Sequence, residues 1–157
     1  MRILIIIITF LFINTFSFAQ DFKSLESYEF ETEESFQSEE ENVLLCSNYI
    51  FDNPFDDSDI KRLISIQYIM KWMTGTPDYT FEIGGEVMEL TKNNTDLLGL
   101  YISALTKIAL ENKDEKLNAE EMHNRAVDIL ANYCSDSKNN MKPSKKLKKI
   151  IKAKKKN

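Results

Sequence analysis

The chain has 157 residues, of which 43% are hydrophobic and 29% charged, and its net charge is −5. This composition predicts one globular domain and argues against wholesale disorder. One histidine excludes metal sites that need two, and four glycines exclude a glycine-rich phosphate-binding loop.

The first 19 residues have the three parts of a secretory signal peptide. Arg2 precedes an apolar run from Ile3 to Ile13, and small residues stand at Ser17 and Ala19. The run is shorter than the roughly 20 apolar residues of a spanning helix. We therefore expect cleavage after Ala19 and export of a mature chain, periplasmic or secreted, without a transmembrane span. An uncleaved N-terminal anchor is the alternative.

Charge divides the mature chain into three regions. Residues 20–41 hold nine acids and one lysine, residues 42–137 hold sixteen acids and eight bases, and residues 138–157 hold ten lysines and no acid. The first region has few apolar residues, which predicts a flexible acidic leader. The second is the predicted helical domain, and the third is a lysine-rich tail.

Apolar spacing predicts an all-α fold, a compact bundle of four or five helices with a disordered acidic leader and a basic C-terminal tail. The predicted helices cover residues 43–51, 59–74, 86–91, 96–111 and 118–133. Thr95 is the predicted N-cap of the fourth helix, and Asn118 with Glu121 resembles a capping box for the fifth. The second helix has apolar residues on more than one face, which predicts burial between its neighbours.

Cys46 and Cys134 are the only cysteines, and an exported chain with two is expected to join them in a disulfide. Closing so long a loop would stabilise the fold by about 4–5 kcal/mol on the chain-entropy estimate. Two buried thiols are one alternative. A nucleophilic cysteine with His123 as its base is another, but neither cysteine has a protease or transferase signature around it.

Two patterns suggest metal ligands, and each has a simpler explanation. Glu120 and His123 have the spacing of half a di-iron site, but the chain has no second histidine to complete one. The second pattern is an acidic cluster formed by Asp52, Asp56, Asp57 and Asp59. It lacks the glycine and the distal glutamate of a calcium loop, and helix capping explains it. We expect no metal and no cofactor.

Catalytic motifs of hydrolases, metalloproteases and P-loop enzymes do not occur in the sequence. A carboxylate pair for glycoside hydrolysis remains an alternative, with Glu82, Glu86 or Glu89 as a member if the fold places a second acid beside it. The sequence favours a protein that is not an enzyme.

Two segments are candidates for binding. Trp72, Tyr79 and Phe81 surround a turn and form a candidate partner loop, although packing of the loop on the core is the alternative. The tail offers a basic amphipathic segment of the kind that settles on anionic surfaces, with candidate binding residues Lys145, Lys146, Lys148, Lys149 and Lys152. A disordered solubilising tail is the alternative. Nucleic acid is not an expected partner, because no aromatic residue is interleaved with the lysines.

The chain is similar to a group of small exported bacterial proteins of unknown function. The similarity lies in residues 16–20, 71–81, 96–101 and 132–136. The resemblance covers about residues 43–138 and implies domain limits, but no activity, ligand or catalytic residue. The sequence thus predicts an exported, non-enzymatic helical protein that binds an anionic envelope component or another envelope protein. A small carboxylate-dependent hydrolase and a structural protein without a specific ligand are the alternatives, and the sequence predicts no oligomeric state.

Overall fold

The computed structural model describes residues 22–92, 94–115 and 117–156, where every regular element is helical. The α-helices are α1 (Phe22–Glu26), α2 (Glu33–Ser38), α3 (Glu40–Asp52), α4 (Ile60–Gly75), α5 (Gly85–Thr91), α6 (Thr95–Glu111), α7 (Ala119–Ser135) and α8 (Lys145–Lys154). A short 3-10 turn follows α7. The all-α bundle is confirmed, and α3 to α7 are the five predicted helices. The predicted signal peptide, residues 1–19, lies outside the described residues.

Side-chain caps fix where the main helices begin. Asp59 accepts hydrogen bonds from two backbone amides in the first turn of α4. Asn118 and Glu121 form the predicted capping box of α7. The cap of α6 is Asn94 rather than the predicted Thr95, because the Asn94 side chain accepts from two first-turn amides and Thr95 is already helical.

Helix α6 is the centre of the bundle. It is buried along most of its length and packs against α3, α4, α5 and α7. Gly99 allows the close approach of α4, since a Cβ there would lie 3.0 Å from Cδ1 of Ile66. The helices that carry the two charged ends of the chain are attached around this centre.

Helices α1, α3 and α6 pack against α4, but one stripe along it stays exposed. Tyr68 and Trp72 are buried against the core, but Ile60 is 70% exposed and Leu63 is 55% exposed. The prediction that this helix is largely buried between neighbours therefore holds except along the exposed stripe. Apolar residues on two faces do not show by themselves that both faces are covered.

Residues 22–41, here called the acidic segment, pack on the domain. Phe22 and Leu25 of α1 are buried, and α1 lies against α4. The indole Nε1 of Trp72 donates to the carbonyl oxygen of Phe36 at 3.0 Å, which ties α2 to α4. A flexible leader was the expectation from composition, and for these residues it is wrong. A few apolar side chains are enough to order a segment whose average composition is acidic.

Aromatic rings contribute to the contact between the acidic segment and α4. The ring of Phe30 lies 4.8 Å from that of Phe36 and 5.2 Å from that of Tyr68, measured between centroids. The Phe36 ring also occupies the space that a Cβ on Gly75 would need. Aromatic packing of this kind buries a large area with few residues.

The predicted disulfide is wrong. Cys46 on α3 and Cys134 on α7 are both buried free thiols. Helix α3 packs against α4 and α6, whereas α7 packs mainly against α6, and Cys46 contacts Ser65 of α4 instead of Cys134. Burial raises the pKa of Cys46 to about 12 and that of Cys134 to about 11, so both thiols stay protonated at neutral pH. Neither has the properties of a nucleophile.

Candidate functional site

Helix α8 is docked on the domain by its apolar face. Leu147 is fully buried, and Ile150 and Ile151 are half-buried against the core. The helix packs on α5 and α7. An α-helix of ten residues is marginal on its own, so this docking is what keeps α8 helical.

The lysines of α8 divide into two groups by position. Lys146 pairs with Glu89 of α5 at 3.2 Å, and Lys154 pairs with Asp128 of α7. The remaining lysines from the predicted set point away from Leu147 and are exposed: Lys145, Lys148, Lys149 and Lys152. Within the described ranges, none of these four takes part in an ion pair.

A groove of about 1030 Å³ runs beside the first turn of α8. Lysines on both sides line it, including Lys92 from the end of α5 and Lys142 from the segment before α8. We define the basic surface as these two residues together with the four outward lysines, that is Lys92, Lys142, Lys145, Lys148, Lys149 and Lys152. Glu89 is the only acid that lines the groove in the described part of the chain.

Hydrogen bonds hold the start of α8 in place. The amide of Asn94 donates to the carbonyl oxygen of Lys142 at 3.0 Å. The hydroxyl of Ser144 accepts from the backbone N–H of Leu147 at 3.1 Å and caps the helix. Because Asn94 also caps α6, one side chain joins the connection before α8 to the central helix.

The docked position of α8 changes the predicted binding mode. Sequence spacing suggests a segment whose leucine and isoleucines enter an anionic surface, but these side chains already pack on the protein's own core. The lysines on the opposite face stay exposed. Lys92 was missed because only the packing of α5 against α8 brings it here.

The three residues of the predicted partner loop do come together. The ring centroid of Trp72 lies 5.4 Å from that of Tyr79 and 6.1 Å from that of Phe81. Trp72 is completely buried, however, and cannot touch a partner. Tyr79 and Phe81 are half-buried beside a groove of about 430 Å³ that the connection between α6 and α7 completes. The loop packs on the core, as the alternative states.

A separate groove of about 390 Å³ contains Glu86, His123 and Asp128. The hydroxyl of Tyr101 is 2.9 Å from Nδ1 of His123, and Nε2 of His123 is 3.8 Å from Oε2 of Glu86. Burial, with the charge of Glu86 adding to it, raises the pKa of Tyr101 to about 12, so this hydroxyl stays protonated.

The hydrolase alternative requires a pair of neighbouring carboxylates, and this groove contains two. The two carboxylates share it, but the side chain of Glu86 is 80% exposed and that of Asp128 is 58% exposed. A carboxyl group serves as a general acid when a dry environment keeps its proton on at neutral pH. Such solvated side chains give no support to acid–base chemistry here.

The acidic cluster before α4 uses its oxygens within the protein. Asp56 accepts from the backbone and hydroxyl of Ser58, and Asp59 accepts from the first turn of α4 and from the hydroxyl of Tyr49. Helix capping explains Asp59, as expected, whereas Asp56 closes a turn just before the cap. In the described ranges, no group of three or more histidine, cysteine or acidic side chains is placed to hold a metal ion.

No helix in the described part of the chain combines the length and hydropathy needed to cross a bilayer. No family model, curated protein or solved structure matches the chain. We therefore infer function from the residues and their geometry.

Proposed function

We propose that this is an exported envelope protein, not an enzyme, that binds anionic surfaces through the basic surface on and around α8. The observation that carries the proposal is the outward face of α8. Four lysines are exposed there, and none has an ion-pair partner among the described residues. Export itself rests on the sequence pattern of residues 1–19.

Preorganisation favours this site over a flexible lysine tail. Docking of Leu147 fixes the helix before any ligand arrives, so binding does not have to order the backbone. Each lysine close to an anionic surface contributes about 1 kcal/mol before screening. Several lysines on one rigid face therefore support reversible binding that weakens as salt rises.

The chemistry that fits is a surface with closely spaced negative groups, such as the phosphates of an anionic lipid or of an envelope polymer. Lysine binds such groups as a flexible point charge and places few demands on their geometry. The buried apolar face of α8 argues against deep insertion between lipid tails. The protein would lie on the surface and leave it at high ionic strength.

Co-sedimentation with vesicles tests the proposal. Vesicles of zwitterionic lipid with and without an anionic phospholipid are mixed with the mature protein over a salt series. The test variant is K145Q/K148Q/K149Q/K152Q, which keeps Leu147 and so keeps α8 docked. We expect wild type to bind only the anionic vesicles and the variant to lose most of that binding.

A matched variant separates position from total charge. K23Q/K61Q/K113Q/K138Q removes four positive charges at exposed positions outside α8. It should bind anionic vesicles nearly as well as wild type. Equal loss in both variants would show that only net charge matters, and unchanged binding of the α8 variant would overturn the proposal.

A further inference from the structure

Within the described part of one copy, the acidic segment and α8 are attached to different helices. The acidic segment packs on α3 and α4, whereas α8 packs on α5 and α7. The ion pairs of each end lead to other parts of the domain: Glu29 to Lys71 and Glu40 to Lys113 from the acidic segment, Lys146 to Glu89 and Lys154 to Asp128 from α8. In the described ranges no ion pair joins the two ends.

Each end is left with exposed charges of one sign. In the acidic segment these are five glutamates that are exposed and form no ion pair with another described residue: Glu26, Glu31, Glu33, Glu34 and Glu41. On α8 they are the four outward lysines. Because both ends are packed on the domain, these charges stay at fixed positions, and one copy cannot neutralise them by folding one end over the other.

We infer that the acidic segment of one copy docks on the basic surface of a second copy. Charge complementarity supports this contact, because the ordered acidic segment presents five carboxylates without an ion pair and α8 presents four such lysines. The contact joins unlike faces, so a pair keeps one free basic surface on the first copy and one free acidic segment on the second. Longer assemblies therefore follow at higher concentration.

The contact is weak and depends on salt. Exposed ion pairs contribute about 0–1 kcal/mol each, and at physiological ionic strength charges more than about 8 Å apart are largely screened. Self-association is therefore expected at low ionic strength and lost at high ionic strength. It also occupies the lysines of the proposed surface-binding site, so a second copy and an anionic surface compete for them.

Sedimentation velocity with two complementary variants tests the inference. The first variant, E26Q/E31Q/E33Q/E34Q/E41Q, loses the five free carboxylates of the acidic segment and keeps the basic surface. The second, K145Q/K148Q/K149Q/K152Q, loses the four outward lysines of α8 and keeps the acidic segment. At low salt the sedimentation coefficient of wild type should rise with concentration and return to the monomer value at high salt. Each variant alone should stay monomeric, and an equimolar mixture should give a complex of twice the mass that does not grow further.

The acidic-segment variant distinguishes association through this contact from association caused by weaker charge repulsion between copies. Its net charge is closer to zero than that of wild type, so a protein that associates merely because repulsion falls would associate more in this variant. The docking contact predicts less association. Monomeric wild type at all concentrations in low salt, or a glutamine variant that associates as wild type does, would overturn the inference.

Vesicle binding keeps this test separate from that of the proposed function. The acidic-segment variant retains every lysine of the basic surface, so it should bind anionic vesicles at least as well as wild type. Loss of self-association with retained vesicle binding supports both ideas. Monomeric wild type that still binds vesicles overturns only the self-association. Circular dichroism and urea unfolding confirm that both variants keep the fold.

Discussion

Aromatic side chains attach the acidic segment to the domain, whereas aliphatic side chains attach α8. The rings of Phe30 and Phe36 pack beside Tyr68, while at the other end of the chain Leu147 is buried against α5 and α7. Both ends have a composition typical of disorder, and both are helical over part of their length. A few well-placed apolar residues order each end.

The two ends differ in what their charged groups do. In the acidic segment, Glu39 accepts a hydrogen bond from the hydroxyl of Tyr68 at 2.6 Å and Glu29 pairs with Lys71, so several acids help to attach the segment. On α8, four exposed lysines form no ion pair in the described part of the chain. The acidic segment thus has a partly structural role, and α8 presents its charge outward.

The largest expected effect comes from removing the side chain that attaches the acidic segment. Trp72→Ala should lower the free energy of unfolding by about 3–5 kcal/mol, because it leaves a large cavity and removes the hydrogen bond to Phe36. Urea denaturation measures the change. Met70→Ala on the same helix is the control and should cost less than about 1 kcal/mol, because Met70 is partly exposed. Similar losses in the two variants would contradict the anchoring role.

Leu147→Ala tests the attachment of α8. We expect a loss of about 2–3 kcal/mol, at the lower end for a buried leucine, because α8 lies at the edge of the bundle. Hydrogen exchange should show faster exchange at the amides of α8 than at those of α6. Ile151→Ala, at a half-buried position, should have a smaller effect. Unchanged exchange in α8 would mean that Leu147 does not hold the helix.

Alkaline pH should weaken the contact of the acidic segment. Burial, together with the charge of Glu40, raises the pKa of Tyr79 to about 12, and burial also raises the pKa of Tyr68. Unfolded tyrosine ionises near pH 10, so this stability is present below pH 10 and is lost as pH rises toward 12. We expect a loss of less than about 1 kcal/mol per pH unit from Tyr79, since a half-buried phenol is partly screened. Tyr79→Phe should flatten the pH dependence, and an unchanged profile would exclude Tyr79 as its source.

The smallest expected effect concerns an ion pair at the base of α8. Lys146→Gln removes the contact with Glu89 and should cost about 0.2–1 kcal/mol, because both side chains are partly exposed. Urea denaturation in low and high salt measures it, and the difference from wild type should shrink in high salt. A loss as large as that of Leu147→Ala would show that charge, rather than apolar packing, docks α8.

Local patterns predicted the parts of the fold that depend on local interactions. Apolar spacing located α3 to α7, and the pair of Asn118 and Glu121 identified a real helix start. The docking of the acidic segment was missed because its aromatic residues have no regular spacing and contact residues far along the chain. The disulfide was predicted from the number of cysteines, which carries no information about the distance between α3 and α7.

The candidate site was predicted only in part, because part of it depends on contacts between helices that are distant in sequence. The four outward lysines follow from the helical periodicity around Leu147. The contribution of Lys92, and the use of the apolar face for docking, depend on tertiary contacts of α8 with α5 and α7. A pattern on one helix shows which residues share a face, but it does not show what that face contacts.

The central claim is that α8 stays docked and presents its lysines to a surface. Lysine footprinting on anionic vesicles tests this claim most directly. An amine-reactive reagent labels the protein with and without vesicles, and mass spectrometry gives the labelling of each lysine. We predict protection at Lys145, Lys148, Lys149 and Lys152, unchanged labelling at Lys61, and slow hydrogen exchange throughout α8. Uniform protection of all lysines, or faster exchange in α8 when vesicles are present, would contradict the account.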